Sequence, residues 1–273
     1  MARWDPKLYL DFEKQRTRPT DDLALRLKSA MAASGKGSED VSILDLGCGP
    51  GNSTAALKRA FPRARLTGLD SSPDMIRAAS ESGLEAEWVL ADGASWKTDA
   101  RYDVAFSNAA LQWMGDQAAV LERAFGWVVP GGFMAHQVPG NALSPLHRAL
   151  CDAANDPAWK ARSPTGFAGL EDAMRYHEPD FYFETMASIG AVGIDLWETT
   201  YWHVLGSRQD LIRWYSGTGM RPWLEALESD DARKAFMADV LERASRSYPE
   251  RADGSVLFPF RRIFFTAQKP RAR

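Results

Sequence analysis

The seven residues Asp45-Leu46-Gly47-Cys48-Gly49-Pro50-Gly51 lie where an apolar run, 41–46, gives way to a segment with helical spacing, 54–60. A strand that turns at once into a helix needs positive φ, which glycine adopts without a Cβ clash. The turn also leaves the first N–H groups of the helix open to a ligand. Such a junction belongs to a strand whose helix folds back on a parallel sheet, and open sheets of that kind bind ligands at the carboxyl ends of their strands. The following hundred residues keep the same rhythm. Residues 65–70 read as a second strand ending on an acid, and Ser72-Pro73 opens a helix, with Ser as N-cap and Pro at the first helical position. Residues 87–91 and 102–107 read as third and fourth strands, 111–129 as one helix, and 132–138 as a fifth strand after the turn Pro130-Gly131-Gly132. The rhythm then changes. Residues 139–179 read as loops with one helix at 146–154, followed by a helix at 181–189 and an alternating, half-buried strand at 194–204. Residues 211–248 are helical with a break at 217–222, and 256–268 form a last strand rich in Phe and Ile.

Composition narrows the function. Lys plus Arg total 33 against 36 Asp plus Glu, a net charge of −3, which excludes the basic footprint of a nucleic-acid binder. No run approaches the roughly 20 apolar residues of a membrane span, and the first thirty residues lack the apolar core of a signal peptide. The two cysteines, Cys48 and Cys151, show neither C-x-x-C nor Cys/His ligand spacing, so the reading is a cytoplasmic protein without a metal, monomeric or a weak dimer. Of the basic residues 24 are Arg and 9 are Lys, a bias toward the fork that matches carboxylates and phosphates.

The glycine loop does not fit a dinucleotide fingerprint. Counting from Gly47 or Gly49, the position of the third glycine holds Asn52 or Thr54, and Asp45 would repel a pyrophosphate. An acid there suits a cation. Asp70 lies 19 residues beyond Gly51 at a strand end, and Asp92-Gly93 follows the third strand. This series of motifs resembles the class I S-adenosylmethionine-dependent methyltransferases. The resemblance implies a Rossmann-like α/β fold: a mostly parallel seven-stranded sheet with an antiparallel last strand, and helical insertions after the fifth strand and between the last two. It implies S-adenosyl-L-methionine as cofactor, S-adenosyl-L-homocysteine as product, and cofactor contacts from Asp45, Gly47, Cys48, Gly49, Asp70, Ser71, Met75, Asp92, Gly93, Asn108, Leu111 and Trp113. Asp70 would take the ribose, Asp92 the adenine amino group, and the stretch after the fourth strand the methionine side. The chain then forms a single domain, 1–273, with a helical lid at 1–40, a cofactor core at 41–138, and insertions at 139–180 and 206–250 covering the substrate.

Other stretches are more particular: Trp4 to Phe12 with Arg16 to Pro19, Asn108 to Trp113, Thr199 to His203, Gly217 to Trp223, and Phe258 to Arg262. They resemble a branch of the family that esterifies one carboxylate of a small unsaturated tricarboxylic acid, with Met220 and the Phe260-Arg261 pair as departures. A small anionic polycarboxylate is therefore the implied partner, and Tyr9, Phe12, Arg16, Arg18, Gln112, Trp113, Tyr201, His203 and Arg221 its implied contacts. Arg261 and Arg262 are consecutive on a strand, so they face opposite sides. A carboxylate with a pKa near 4 is already a nucleophile at neutral pH, so no catalytic base is required. Three alternatives stay open: another small acceptor such as a quinone, amine or nucleobase, a non-catalytic cofactor-binding protein, and a nicotinamide dehydrogenase, the last disfavoured by Asn52 and Thr54.

Overall fold

The computed structural model describes residues 13–163, 166–170 and 174–272. Its elements follow in chain order: α1 (Glu13–Ala33), β1 (Ser42–Leu46), α2 (Asn52–Ala60), β2 (Arg65–Asp70), α3 (Pro73–Glu81), β3 (Glu87–Leu90), β4 (Tyr102–Asn108), α4 (Gln117–Trp127) and β5 (Val128–Pro139). Next come α5 (Pro145–Asn155), α6 (Pro157–Lys160), α7 (Pro179–Ser188), β6 (Val192–Leu205), α8 (Gln209–Ser216), α9 (Arg221–Glu225), α10 (Asp230–Ala244) and β7 (Val256–Gln268). The seven strands lie in the order β3-β2-β1-β4-β5-β7-β6. β1 to β5 pair in parallel, and β7 runs antiparallel to β5.

The chain divides into two compact units. The sheet unit comprises Glu13–Pro139, His177–Thr199 and Arg262–Arg273. Its core is made by the apolar alternation of the strands, with Leu44, Leu46, Ala105, Met134, Ile263 and Phe265 packed with Leu121 and Phe125 of α4 and Tyr182 and Met186 of α7. Helix starts obey local chemistry. Ser72 accepts from the Met75 N–H ahead of Pro73, and Asp116 accepts from the Ala119 N–H to open α4. The second of these caps corrects the reading of 111–129 as one helix. Leu111–Trp113 is a single 3-10 turn, Met114 is extended, and α4 starts afresh behind Asp116. It stops at Trp127 because Val128 and Val129 already belong to β5, which therefore starts earlier than expected. The Pro130-Gly131-Gly132 turn is an irregularity inside that strand, where the register with β4 jumps from Tyr102↔Val128 to Val104↔Phe133.

The second, mainly helical unit holds Gly140–Tyr176 and Thr200–Arg261. Ser144 caps α5 by accepting from the His147 N–H, with Pro145 at the first helical position. This unit's core is aromatic: Trp159, Trp214 and Trp223 pack with Phe236, Tyr248 and Phe258. The break at 217–222 is present, and a second separates α9 from α10. Ser229 starts α10 by accepting from Ala232 N–H, while Arg233 donates to the Leu224 and Leu227 carbonyls and so closes the end of α9. Among the described residues no helix is long and apolar enough to cross a membrane.

Candidate active site

Register brings the ends of the parallel strands together: Leu46 lies beside Leu69, Asp70 beside Leu90, and Asn108 beside Gln137. The glycine loop leaves β1 at this edge. Gly47 (φ 75°) and Cys48 both donate their N–H to the Leu69 carbonyl, and a Cβ on Gly47 would stand 2.2 Å from the Ala110 Cβ. Gly49 is different. It also has positive φ, 56°, but a Cβ there would meet no protein atom within 4 Å. The constraint at Gly47 is internal packing, whereas the space in front of Gly49 is open to a ligand.

Asp45 is wholly buried under this loop. Its Oδ2 accepts from Ser53 Oγ at 2.7 Å and Thr54 Oγ1 at 2.6 Å, hydroxyls from the first turn of α2. Its Oδ1 is buried with no hydrogen-bond partner. Loss of water pushes the carboxyl up to about 6, against the two hydroxyl bonds that favour the anion. An orphaned carboxylate oxygen beneath an open glycine loop fits a cationic group and disfavours a phosphate.

Asp70 faces the same loop. Its Oδ2 accepts from the Gly49 N–H and its Oδ1 from the Ser72 N–H, both at 2.9 Å. Burial raises its pKa although these N–H bonds oppose the rise. Each oxygen retains a second lone pair, the capacity that a pair of vicinal hydroxyls requires. Ser71 is exposed, and Met75 is buried in the first turn of α3. Asp92 is exposed and holds its own turn, with Oδ1 accepting from Ala94 N–H at 2.9 Å and its carbonyl from Trp96 N–H. Gly93 permits that turn to touch the first strand, since a Cβ would stand 2.5 Å from Leu46 Cδ1. Cys48 is buried, and burial with the nearby Asp45 and Asp70 charges pushes its thiol far up, so it is no nucleophile.

Beyond β4, Ala109 adopts a left-handed conformation (φ 54°) and donates to the Gln137 carbonyl. This sets the direction of the next residues. The Asn108 side-chain oxygen is buried without a partner, and the buried Gln112 donates from Nε2 to the Ala109 carbonyl while its Oε1 has none. Trp113 is half-buried, and the side chain of Leu111 is wholly inside the sheet unit's core. Polar atoms without protein partners thus occur at both the β1 and the β4 ends of the sheet.

In the helical unit, Tyr201 and His203 share one face of β6, their rings stacked with centroids 6.5 Å apart. His203 is buried and lies 4.9 Å from the Trp214 ring. Arg221, at the start of α9, has a side chain only 11% exposed and donates from Nε to Glu225 at 2.8 Å. Arg18 is an exposed residue of α1. Tyr9 and Phe12 lie outside the described residues, as does the side chain of Arg16.

Two contributions were missed by sequence reasoning. Trp88 is the register partner of Gly68, and a Cβ on Gly68 would stand 2.5 Å from its ring and 3.0 Å from Cys48 Sγ. The same ring is 3.1 Å from a Cβ built on Gly51, so Trp88 props the loop from below. The signal was a glycine inside a strand, which marks a close approach. The other is a buried contact between His147 Nδ1 and the Tyr215 hydroxyl, with the His147 pKa depressed by burial. Gly219 exists to clear that tyrosine, since its Cβ would fall 2.1 Å from the Tyr215 ring.

A mixed sheet of this order, with a glycine loop, a buried acid beneath it and a second acid at the end of β2, defines a class I methyltransferase. A family model described as a methyltransferase domain matches residues 43–132. The chain is 38% identical to the trans-aconitate 2-methyltransferase of Azoarcus sp. (strain BH72), covering 98% of this chain and 99% of that protein. It is also 38% identical to the Streptomyces avermitilis protein of that name, over 97% of each, and 36% identical to the one from Methylobacterium nodulans, over 99% and 100%. The chain belongs to the trans-aconitate 2-methyltransferase family. Its methyl donor is S-adenosylmethionine, and the residues at the glycine loop fit such a ligand. Solved structures share the fold at low identity. A methyltransferase from Bacillus halodurans superposes with a TM-score of 0.56 at 14% identity, covering 89% of this chain and 98% of that one. The plantazolicin methyltransferase crystallised with SAH gives 0.55 at 16%, covering 97% and 90%.

Proposed function

We propose that the protein methylates one carboxylate of trans-aconitate, giving a methyl ester and S-adenosylhomocysteine, and that it works in the cytoplasm. The observation that carries this reading is the extent of the likeness. It runs over 98% of the chain, and so through the helical unit as well as the sheet unit.

When bound, S-adenosylmethionine supplies an electrophilic methyl group on a sulfonium. The chain's part is to bind, orient and exclude water. Asp45 Oδ1 receives the ammonium of the amino-acid moiety, since a buried anion without a donor is best satisfied by a cation. Asp70, held by the Gly49 and Ser72 N–H groups, receives the ribose hydroxyls, and Asp92 the adenine amino group. The acceptor carboxylate is ionised at neutral pH, so no side chain has to remove a proton. His203, beside the Trp214 ring, is a contact to the acceptor, which when ionised requires no base from it. Arg221 binds a carboxylate of the acceptor, and Glu225 fixes the orientation of its guanidinium. Positioning alone can supply about 7–11 kcal/mol of barrier reduction. An anion attacking a sulfonium loses charge on the way to products, so a dry site favours the reaction further.

The test is a screen of trans-aconitate, cis-aconitate, isocitrate and citrate with methyl-labelled donor, followed by mass-spectrometric identification of the ester. Label appearing as a trans-aconitate monoester supports the reading. Label that stays on the donor with every polycarboxylate sinks it.

A further inference from the structure

Residues 47–51 hold three glycines, Gly47, Gly49 and Gly51, with φ of 75°, 56° and 94°. Such a segment brings little side chain of its own to pack, and glycine has the most backbone freedom to lose on ordering. Its placement still has to be accurate. The Gly49 N–H reaches Asp70 at 2.9 Å, and in the turn that follows Ser53 and Thr54 reach Asp45 at 2.7 and 2.6 Å. Backbone bonds tie the first end of the loop to β2, where Gly47 and Cys48 donate to the Leu69 carbonyl. At the other end Gly51 donates only back into the loop, to the Cys48 carbonyl. What meets Gly51 from outside is side chain: a Cβ there would stand 3.1 Å from Trp88 Cη2 and 3.6 Å from Ala79 Cβ. Trp88 reaches it across β2. The residue is the register partner of Gly68, which pairs on its other side with Asp45. A Cβ on Gly68 would fall 2.5 Å from Trp88 Cζ3, 2.6 Å from Cε3 and 3.0 Å from Cys48 Sγ. Two glycines from different elements, one inside β2 and one at the start of α2, thus make room for the six-membered edge of a single indole. All of these residues belong to the sheet unit.

We infer that Trp88 is a positioning residue for the methyl donor: its indole, seated on Gly68, is the floor that holds Gly51 and the start of α2 where Gly49 meets Asp70 and the Ser53–Thr54 pair meets Asp45. Trp88 acts through the loop. A loop ordered before the ligand arrives spares the ligand the entropy of ordering it, so the ring's contribution is read as affinity for S-adenosylmethionine or its product. The absence of a side chain at Gly68 is part of the same device, since a Cβ there would lift the ring into the loop. The identity of the acceptor does not enter.

The experiment compares wild type with Trp88→Phe, which keeps a ring on β3 but lacks the edge that reaches Gly51, and with Trp88→Leu, which removes the ring. Calorimetry gives the Kd for SAH, and hydrogen exchange of the ligand-free protein follows the amides of 47–53 against those of α4. Steady-state kinetics gives kcat and the KM of each substrate. The expected Kd rises about threefold in Trp88→Phe and about tenfold in Trp88→Leu, the order of ordering one backbone residue. Exchange should quicken at Gly49 and Gly51 and stay unchanged in α4. The KM for S-adenosylmethionine should rise in step with the Kd, while kcat and the acceptor KM stay within about twofold, a split that general loss of stability does not produce. An SAH affinity unchanged in Trp88→Leu, or loop exchange that does not quicken, overturns the inference. Exchange that quickens equally in α4, or kcat and both KM values changing together, assigns Trp88 to the scaffold and overturns it too. Should Trp88→Leu not fold, Trp88→Phe decides by the same criteria. If the protein methylates no polycarboxylate, SAH binding and exchange still decide, because neither needs turnover.

Discussion

Replacing Asp45 by Asn is the most informative single change, because it separates the cost of the buried acid from its use. The side chains are nearly isosteric, and the Asn oxygen can still accept from Ser53 and Thr54. Only the charge and the unpartnered Oδ1 are lost. Burial raises the carboxyl from 3.8 to about 6, which corresponds to about 3 kcal/mol at about 1.4 kcal/mol per pH unit. Because the folded value is raised, the stabilising contribution of the protonated form is complete below pH 3.8. It is lost as pH climbs through about 6. At pH 7.5 the ligand-free Asn variant should therefore melt higher than wild type, by an amount reaching about 3 kcal/mol, and the gain should vanish near pH 4. Cofactor binding should move the other way. Loss of a charge-assisted bond to the ammonium should cost about 1.5–3 kcal/mol, or roughly 10- to 150-fold in Kd. Wild-type affinity should also fall as pH drops below about 6, where a proton competes with the cation, and the variant should lack that dependence. Calorimetric titration with SAH from pH 5 to 8, with melting curves of the ligand-free proteins, measures both. An unchanged SAH affinity with an unchanged pH profile would refute the placement of the ammonium at Asp45.

Asp70→Ala should weaken SAH binding by about 1–3 kcal/mol, through lost hydroxyl bonds and through the Gly49 and Ser72 N–H groups losing their acceptor; calorimetry reads it directly. The two loop glycines should part company. Gly47→Ala should lower the melting temperature sharply because of the 2.2 Å approach to Ala110. Gly49→Ala should cost only the roughly 1–2 kcal/mol of a left-handed alanine yet abolish SAH binding, so equal melting losses in the two would count against the open space at Gly49. Arg221→Lys should raise the acceptor KM about tenfold while leaving SAH affinity unchanged, since the charge survives but the fork and its Nε contact to Glu225 do not; steady-state kinetics decides.

Much of this molecule was legible because its signals are short. Two strands, Arg65–Asp70 and Val256–Gln268, start and end where alternation and flanking residues put them, and the Ser72-Pro73 helix start obeys a rule that acts over three residues. The single helix read at 111–129 failed for a reason of the same kind. Apolar residues on both sides of Met114-Gly115-Asp116 suggest one helix, but Asp116 satisfies the N–H of Ala119 and so restarts it. Local capping outweighed periodicity there. The break after α9 was missed in the same way, hidden in a stretch whose helical spacing is good on both sides of Ser229.

The loop composition, the acid at the end of β2 and the succession of strands and helices along the chain follow from sequence alone, because each depends on sterics and hydrogen bonds within a few residues. Which polar groups lack a partner depends on packing over long separations. Asp45 Oδ1 is left without a partner because β1 is an interior strand of the sheet and its end is covered by the glycine loop. Which groups do find partners is decided the same way: Arg262 meets Gln137, 125 residues away, only because β5 pairs antiparallel with β7. Trp88 reaches under Gly51 because β3 lies beside β2. In sequence Arg261 and Arg262 are equivalent charges. The face each takes on β7 leaves Arg261 partly exposed and buries Arg262, a choice made only by the packing of that strand.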